Sequence, residues 1–301
     1  MPYVSHLSAP LQLAAASRRQ ATLGGAFERS GRGLHTGRRT TVRVSPAPQN
    51  HGIVFRRRLP DGRAVDIPAL WHHQETQPAC TALRAHGVLV RTVEHLMASL
   101  FALRIDNVLA EIDGEELPIF DGSAVPWCEG ITGAGRVVQE VGVRTLRVLR
   151  EVRLTHAHRS LSIGPGRGLT VSAHIELRRL GTFDWRGPIL PESFAAEIAP
   201  ARSFGRLLRV MAGRTYGLLA RKPLLQGCDP RSAALLVGKR VVGGLRMPDE
   251  LVRHRVIDIV GDLALAGHPI EGHVEARHAC HDLNNALVAA LMRDRGAWEL
   301  V

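Results

Sequence analysis

An α+β architecture, built twice, is what these 301 residues predict. Three observations carry it. Period-two alternation of apolar and polar side chains marks strands at 40–47 (TTVRVSPA) and 169–177 (LTVSAHIEL). Apolar stripes at helical spacing run through 92–103 and 249–267. The Gly-rich run TGAGRVVQEVG at 132–142 reads as a junction between two such sets. Strands and helices are mixed on both sides of it, so each half reads as a layered sheet-and-helix unit. The expected division is a loose leader over 1–20, a first α+β domain over 21–138 and a second over 139–301.

The elements follow in order. The leader has a short apolar stretch but no basic residues ahead of it, unlike a signal peptide. Strands are expected at 40–47 and 51–57. A helix begins at Thr92, with Val93, Leu96, Met97, Leu100 and Leu103 on one stripe and the Thr92 hydroxyl as N-cap acceptor. A buried strand follows at 107–113. The segment 116–127 is turn-rich, with Asp121-Gly122 as its sharpest punctuation. In the second half strands are expected within 145–156 and at 169–177. A helical excursion with a strongly apolar face covers 204–226. Another helix opens near Pro248-Asp249 and ends at about Gly267. A strand near 273–276 and a helix over 282–292 close the chain.

Composition narrows the class. With 45% hydrophobic residues the chain can bury a substantial core, and with only 4% aromatics that core must be aliphatic. The net charge is +11, but the basic residues are dispersed, and all except Lys222 and Lys239 are arginine. That bias reads as codon preference, and without a basic aromatic-interleaved motif it argues against nucleic-acid binding. A phosphate-bearing small substrate or an anionic membrane surface suits the charge. The four cysteines form no C-x-x-C pair, which points to reduced thiols in a cytoplasm. No run reaches the roughly 18 apolar residues of a membrane span, so a soluble or peripheral protein is expected.

Chemistry enters with the helix at 251–266. His254 and Asp258 stand at i and i+4, and Asp262 is one turn further on the same face, among Ile257, Ile259, Val260 and Leu263. Burying that set calls for a counter-charge, and a divalent metal supplies one. The plainer reading is an exposed polar stripe. Glu94-His95 opens the other helix: the imidazole could bind a metal and the carboxylate act as general base. Its plainer reading is an acidic residue at a helix's positive end. His281, just before the last helix, is by itself only a lone histidine.

Together these pieces match one family. VRTVEHLMASLFALRIDNVLAEIDGEELPIFDGSAVPW, GRGLHTGRRTTVRVSPAPQNHGIVFRR, DELVRHRVIDIVGDLALAGHPIEG and HDLNNAL resemble, in order and spacing, the blocks of bacterial UDP-3-O-acyl-N-acetylglucosamine deacetylases, over about residues 21–293. The resemblance implies two similar α+β domains packed together with the active site between them. It implies zinc-dependent removal of the N-acetyl group, the committed step of lipid A biosynthesis, in the cytoplasm. His95, His254 and Asp258 would be the zinc ligands, a donor set that also accepts iron(II). Glu94 would be the general base and His281 the protonated acid steadied by Asp262, giving a bell-shaped pH profile. Ser203 and Phe204 would contact the carbonyl oxygen and the sugar, Arg255 the substrate phosphate, and 206–226 would build the acyl-chain passage.

By the same resemblance the partners are an acylated UDP-sugar and, peripherally, the inner membrane; no nucleic acid or transmembrane segment is expected, and a monomer is. Departures from the family pattern fall at Arg209, 226–237 and 277–280, none of them an implied metal ligand. Two alternatives stay open: a zinc-binding paralogue acting on another N-acetylated sugar, and a non-catalytic metal-stabilised binding protein.

Overall fold

The structure, a computed structural model, describes residues 18–301. The leader expected over 1–20 lies outside the described residues except for its end, where Arg19 and Gln20 already belong to the first strand. The first half contains β1 (Arg19–Leu23), β2 (Phe27–Arg32), β3 (Arg39–Pro46), β4 (Ile53–Arg58), β5 (Ala64–Pro68), β6 (Gln74–Gln77), β7 (Cys80–Ala85) and β8 (Val88–Arg91). Helix α1 (Glu94–Ala102), β9 (Val108–Ile112), α2 (Val125–Ala134) and β10 (Arg136–Gly142) complete it. Strands β2-β3-β9-β4-β5 form one sheet, with β3 antiparallel and β4 parallel to β9. Alternation places Val42, Val44, Val108, Ala110 and Ile112 on its buried face. They share a core with Leu96, Met97 and Leu100 of α1 and Trp127 and Ile131 of α2.

The second half contains β11 (Leu146–Val148), β12 (Val152–His156), β13 (Arg159–Gly164), β14 (Leu169–Leu177) and β15 (Gly181–Pro188). A single turn, α3 (Pro191–Ser193), continues into a π-helical turn at Phe194–Ile198. Then come β16 (Phe204–Arg206), α4 (Leu207–Leu219), β17 (Ala234–Val237), β18 (Arg240–Val241), α5 (Glu250–Leu263), β19 (Ile270–Arg277), α6 (His281–Arg293) and β20 (Trp298–Leu300). A seven-stranded mixed sheet is centred on β19, which pairs β13 antiparallel and β14 and β11 parallel. Leu161, Ile163, Val171, Ala173, Val274 and Ala276 form its buried face, in one core with Val252, Val256 and Ile259 of α5 and Leu287 and Leu291 of α6.

The α+β class and most expected elements are found, with four differences. The helical excursion expected over 204–226 is helical only at α4, Leu207–Leu219; Phe204–Arg206 before it is the strand β16, and 221–226 after it is turn and coil. Thr92 does not cap α1. Its backbone is left-handed (φ 60°) and its hydroxyl donates instead to Glu116 Oε1 at 3.1 Å, leaving Val93 at the cap position. The segment 116–127 runs into helix α2, whose Pro126 sits in the first turn, where its missing N–H costs nothing. The Gly-rich run at 132–142, expected as a junction, is itself structured: Gly135 ends α2, and Arg136–Gly142 is β10, paired antiparallel with β1.

What positions the site is the contact of α1 with α5. The two cores interlock there. Ala98 and Ala102 of α1 belong to the second core, while Ala264 and Leu265, just beyond α5, belong to the first. At the crossing, a Cβ on Gly261 would lie 2.1 Å from the Glu94 carbonyl oxygen. Only glycine lets the helices come this close. That proximity sets the α5 carboxylates beside the first turn of α1.

Candidate active site

Helix α5 carries His254, Asp258 and Asp262 at i, i+4 and i+8, and all three are buried. Its apolar neighbours pack into the second core, so the polar stripe faces α1 and α6. Glu94 and His95 are buried on the first turn of α1, and His281 is the first residue of α6. Three elements from both halves thus converge on one point.

One ligand nitrogen each from His95 and His254 and one Asp258 oxygen lie within 4.8 Å of one another. The rings of His95 and His254 meet edge to face, centroids 5.2 Å apart. His254 Nδ1 lies 3.2 Å from the Ala201 carbonyl oxygen, to which it donates, so Nε2 keeps its lone pair, 3.3 Å from Asp258 Oδ1. Asp258 Oδ2 accepts from Arg255 Nη1 at 2.8 Å, whereas Oδ1 is buried with no hydrogen-bond partner among the described residues. A buried carboxylate oxygen left unpaired is costly unless something positive meets it. Burial, reinforced by the neighbouring His254, lowers His95 to about 3. Burial also lowers His254, so both imidazoles are neutral donors. Burial disfavours the Asp258 carboxylate, but His254, His281 and Arg255 outweigh it and hold that carboxyl at about 2. Two neutral imidazoles and an ionised carboxylate, one oxygen of it free, fit a divalent metal.

Beside this triad stand a buried carboxyl, Glu94, and a buried imidazole, His281. Burial pushes Glu94 up to about 8, with Asp262 and Asp258 adding to it and His281 opposing. Its Oε2 accepts from the Thr81 N–H at 3.0 Å. Burial works against the His281 charge, but Asp262, Asp258 and Glu94 overcome it and raise the imidazolium to about 10. His281 Nδ1 donates to Asp262 Oδ2 at 3.0 Å, and Nε2 lies 3.9 Å from Asp258 Oδ1. Asp262 is fully buried behind His281 and does not wall the cavity.

The cavity, about 620 Å³, is lined by Glu94, His95, His254, Asp258, His281, Ser203, Phe204 and Arg255. The rest of its wall divides by chemistry. Leu34, Ile119, Val210 and Leu225 are apolar, whereas Arg159, Arg178, His158 and His278 are cationic or polar. The Phe204 ring lies 6.2 Å from that of His254 and under the Arg255 guanidinium, 4.7 Å from its centroid. Arg255 is therefore held by Asp258 and Phe204 where it lines the cavity. Ser203 is anchored through its backbone N–H, which donates to the Gly122 carbonyl at 2.7 Å.

Against known proteins, the family model described as UDP-3-O-acyl N-acetylglycosamine deacetylase matches residues 20–293. The chain belongs to that family. Its relatives include a UDP-3-O-acyl-N-acetylglucosamine deacetylase of Myxococcus xanthus, 37% identical over 95% of this chain and 90% of that one. One from Stenotrophomonas maltophilia is 37% identical over 94% and 93%, and one from Neisseria meningitidis serogroup C is 35% identical over 94% and 92%.

Sequence reasoning missed residues that hold Glu94, Asp262 and the nearby 33–37 loop in place. Thr81, fully buried on β7, gives its N–H to Glu94 and its hydroxyl to Asp262 Oδ1 at 2.5 Å. Asn284 Nδ2 donates to Asp262 Oδ2 at 2.9 Å. Glu116, fully buried, accepts from the backbone N–H groups of His35 and Thr36 at 2.7 and 2.8 Å and so fixes the GLHTG loop. Asn284 falls within HDLNNAL, but nothing local to QPACTAL marks Thr81.

Proposed function

We propose that this protein hydrolyses the N-acetyl group of UDP-3-O-acyl-N-acetylglucosamine, releasing acetate and the free amine, in the committed step of lipid A biosynthesis. The observation that carries the reading is the unpaired, buried Asp258 Oδ1 beside His95 and His254, with Glu94 and His281 on either hand. His95, His254 and Asp258 would hold a divalent ion, zinc first and iron(II) as the alternative. When bound, such an ion supplies Lewis acidity towards a water and the amide carbonyl.

The remaining work falls to the chain. Glu94 takes a proton from the attacking water at its carboxylate; a dication nearby favours the ionised form against the desolvation that raises it. His281, held protonated by Asp262, faces the developing oxyanion and then gives its proton to the departing amine. Rate should rise as Glu94 loses its proton and fall as His281 loses its own. Ser203 and Phe204 position the carbonyl and the sugar. Leu34, Ile119, Val210 and Leu225 offer an apolar wall to the acyl chain, and Arg159 and Arg178 offer cations to the diphosphate. Arg255, also on the cavity wall, adds a further cation for the substrate phosphate while its bond to Asp258 orients that carboxylate. We place the protein in the cytoplasm as a monomer with peripheral membrane contact, its two domains dividing close to the expected 138–139 boundary, at 143–145 just after β10.

The test is turnover of UDP-3-O-acyl-N-acetylglucosamine by zinc-loaded protein, with and without chelator, beside Glu94→Gln and His281→Ala. Inert wild-type protein would sink the reading. A fully active Glu94→Gln variant would remove Glu94 from its role and favour a different base.

A further inference from the structure

Helix α4 is turned inside out for a helix in water. The five most exposed large hydrophobic side chains among the described residues all lie on it: Leu219 81%, Leu208 80%, Leu218 68%, Tyr216 58% and Met211 56%. At 3.6 residues per turn, Leu208, Met211, Ala212, Thr215, Leu218 and Leu219 fall on one continuous outer stripe. The opposite face carries buried Val210 and Gly217; Gly217 lies so close to the returning chain that a Cβ there would be 2.8 Å from the Lys222 carbonyl oxygen. The helix is thus firmly seated, and its apolar outer stripe is a built surface.

The charge around that stripe identifies its occupant. Residues 204–228 carry Arg206, Arg209, Arg214, Arg221 and Lys222 and no carboxylate. None of the five forms an ion pair among the described residues. Arg209 and Arg214 flank the stripe on its two sides, and Arg221-Lys222 follow its C-terminal end. An apolar strip edged by cations suits the boundary between acyl chains and anionic headgroups. A second copy on a two-fold axis would instead face cations with cations.

We propose that the outer face of α4 docks this protein on an anionic lipid bilayer, with Leu208, Leu218 and Leu219 entering the acyl region. The inference rests on the deacetylase reading for its use: Arg209 and Val210 of the same helix line the cavity, so docking sets the cavity wall against the phase that an acyl chain prefers.

Co-sedimentation of the full chain with vesicles tests it without turnover. Partition onto 3:1 phosphatidylcholine–phosphatidylglycerol vesicles should exceed that onto pure phosphatidylcholine at least tenfold, and should fall several-fold when salt is raised from 0.05 to 0.5 M, as headgroup attraction is screened. L208D/L219D should lose at least tenfold on anionic vesicles, and R221S/K222S should lose affinity only on those. Should L208D/L219D fail to fold, the lipid and salt arms on wild-type protein decide alone. Equal binding to both vesicle types, or none to either, overturns docking. So does a wild-type dimer in light scattering that L208D/L219D converts to monomer, since a second copy then covers the face. Active enzyme that ignores vesicles removes the docking and leaves the deacetylase reading intact; vesicle binding by inactive enzyme does the reverse.

Discussion

Replacing Gly261 with alanine is the sharpest test of how the two halves are joined. In an unencumbered helix, glycine to alanine gains about 1 kcal/mol from propensity. Here the new methyl would lie 2.1 Å from the Glu94 carbonyl oxygen, 2.8 Å from its carbonyl carbon and 3.0 Å from its Cα. All three are backbone atoms, so no rotamer relieves the clash, and α1 and α5 must part by on the order of 1 Å. Overpacking of this kind costs about 1–3 kcal/mol and outweighs the propensity gain. Separation also pulls Glu94 and His95 from Asp258 and Asp262, and a misplacement of about 1 Å is worth roughly 10²-fold in rate. Urea unfolding, metal content and kcat should therefore fall together. Gly133→Ala in α2, whose Cβ would meet nothing within 4 Å, is the control and should be neutral or stabilising. A Gly261→Ala enzyme with wild-type kcat and higher stability would refute the close-approach argument.

Other outcomes follow from named contacts. Thr81→Val keeps the N–H that holds Glu94 and removes the hydroxyl from Asp262; kcat should drop about 10–100-fold, with Thr81→Ser restoring most of it. Unchanged kcat in the valine variant would show that Asp262 needs no such partner. Glu250 is fully buried, accepting from Arg202 Nε at 2.7 Å and from the Arg246 N–H at 2.8 Å. Glu250→Ala strands Arg202 and should cost about 3–5 kcal/mol by denaturant titration. Burial raises the Glu250 carboxyl, but Arg202 and the backbone N–H groups outweigh it and bring it below its ordinary 4.5. Its stabilisation is therefore complete above that value and is lost as pH falls through the lower folded-state value. An acid-unfolding midpoint that does not shift in Glu250→Ala would contradict this. Chelation should lower the melting temperature of metal-loaded protein, and His254→Ala should show no such drop.

Much of this was legible in the sequence. The i, i+4, i+8 spacing of His254, Asp258 and Asp262 is a local signal, and α5 carries them on one face as the period requires. Glu94 and His95 were legible because they are adjacent. Thr81 was not, since its partner Asp262 lies 181 residues away and a lone threonine in a short strand carries no pattern. Helix α2 escaped because Asp121-Gly122 and Pro126 signal turns, although proline in a first turn is compatible with helix. The apolar side of 204–226 was read from its composition, whereas its outward orientation is set by Val210 and Gly217 packing on the inside. Thr92 shows a local rule overridden: the cap residue was present, but buried Glu116 claimed its hydroxyl.

The proposed ligand set is shared unequally across the seam, His95 from α1 and His254 with Asp258 from α5. A chain whose halves had formed but not docked would offer a metal one donor on one side and two on the other. Tight capture then becomes possible only after assembly, so a scarce ion would not be spent on incompletely folded molecules. Once captured, it would act as a rivet between the halves, and its slow loss would report their parting before any strand unravels.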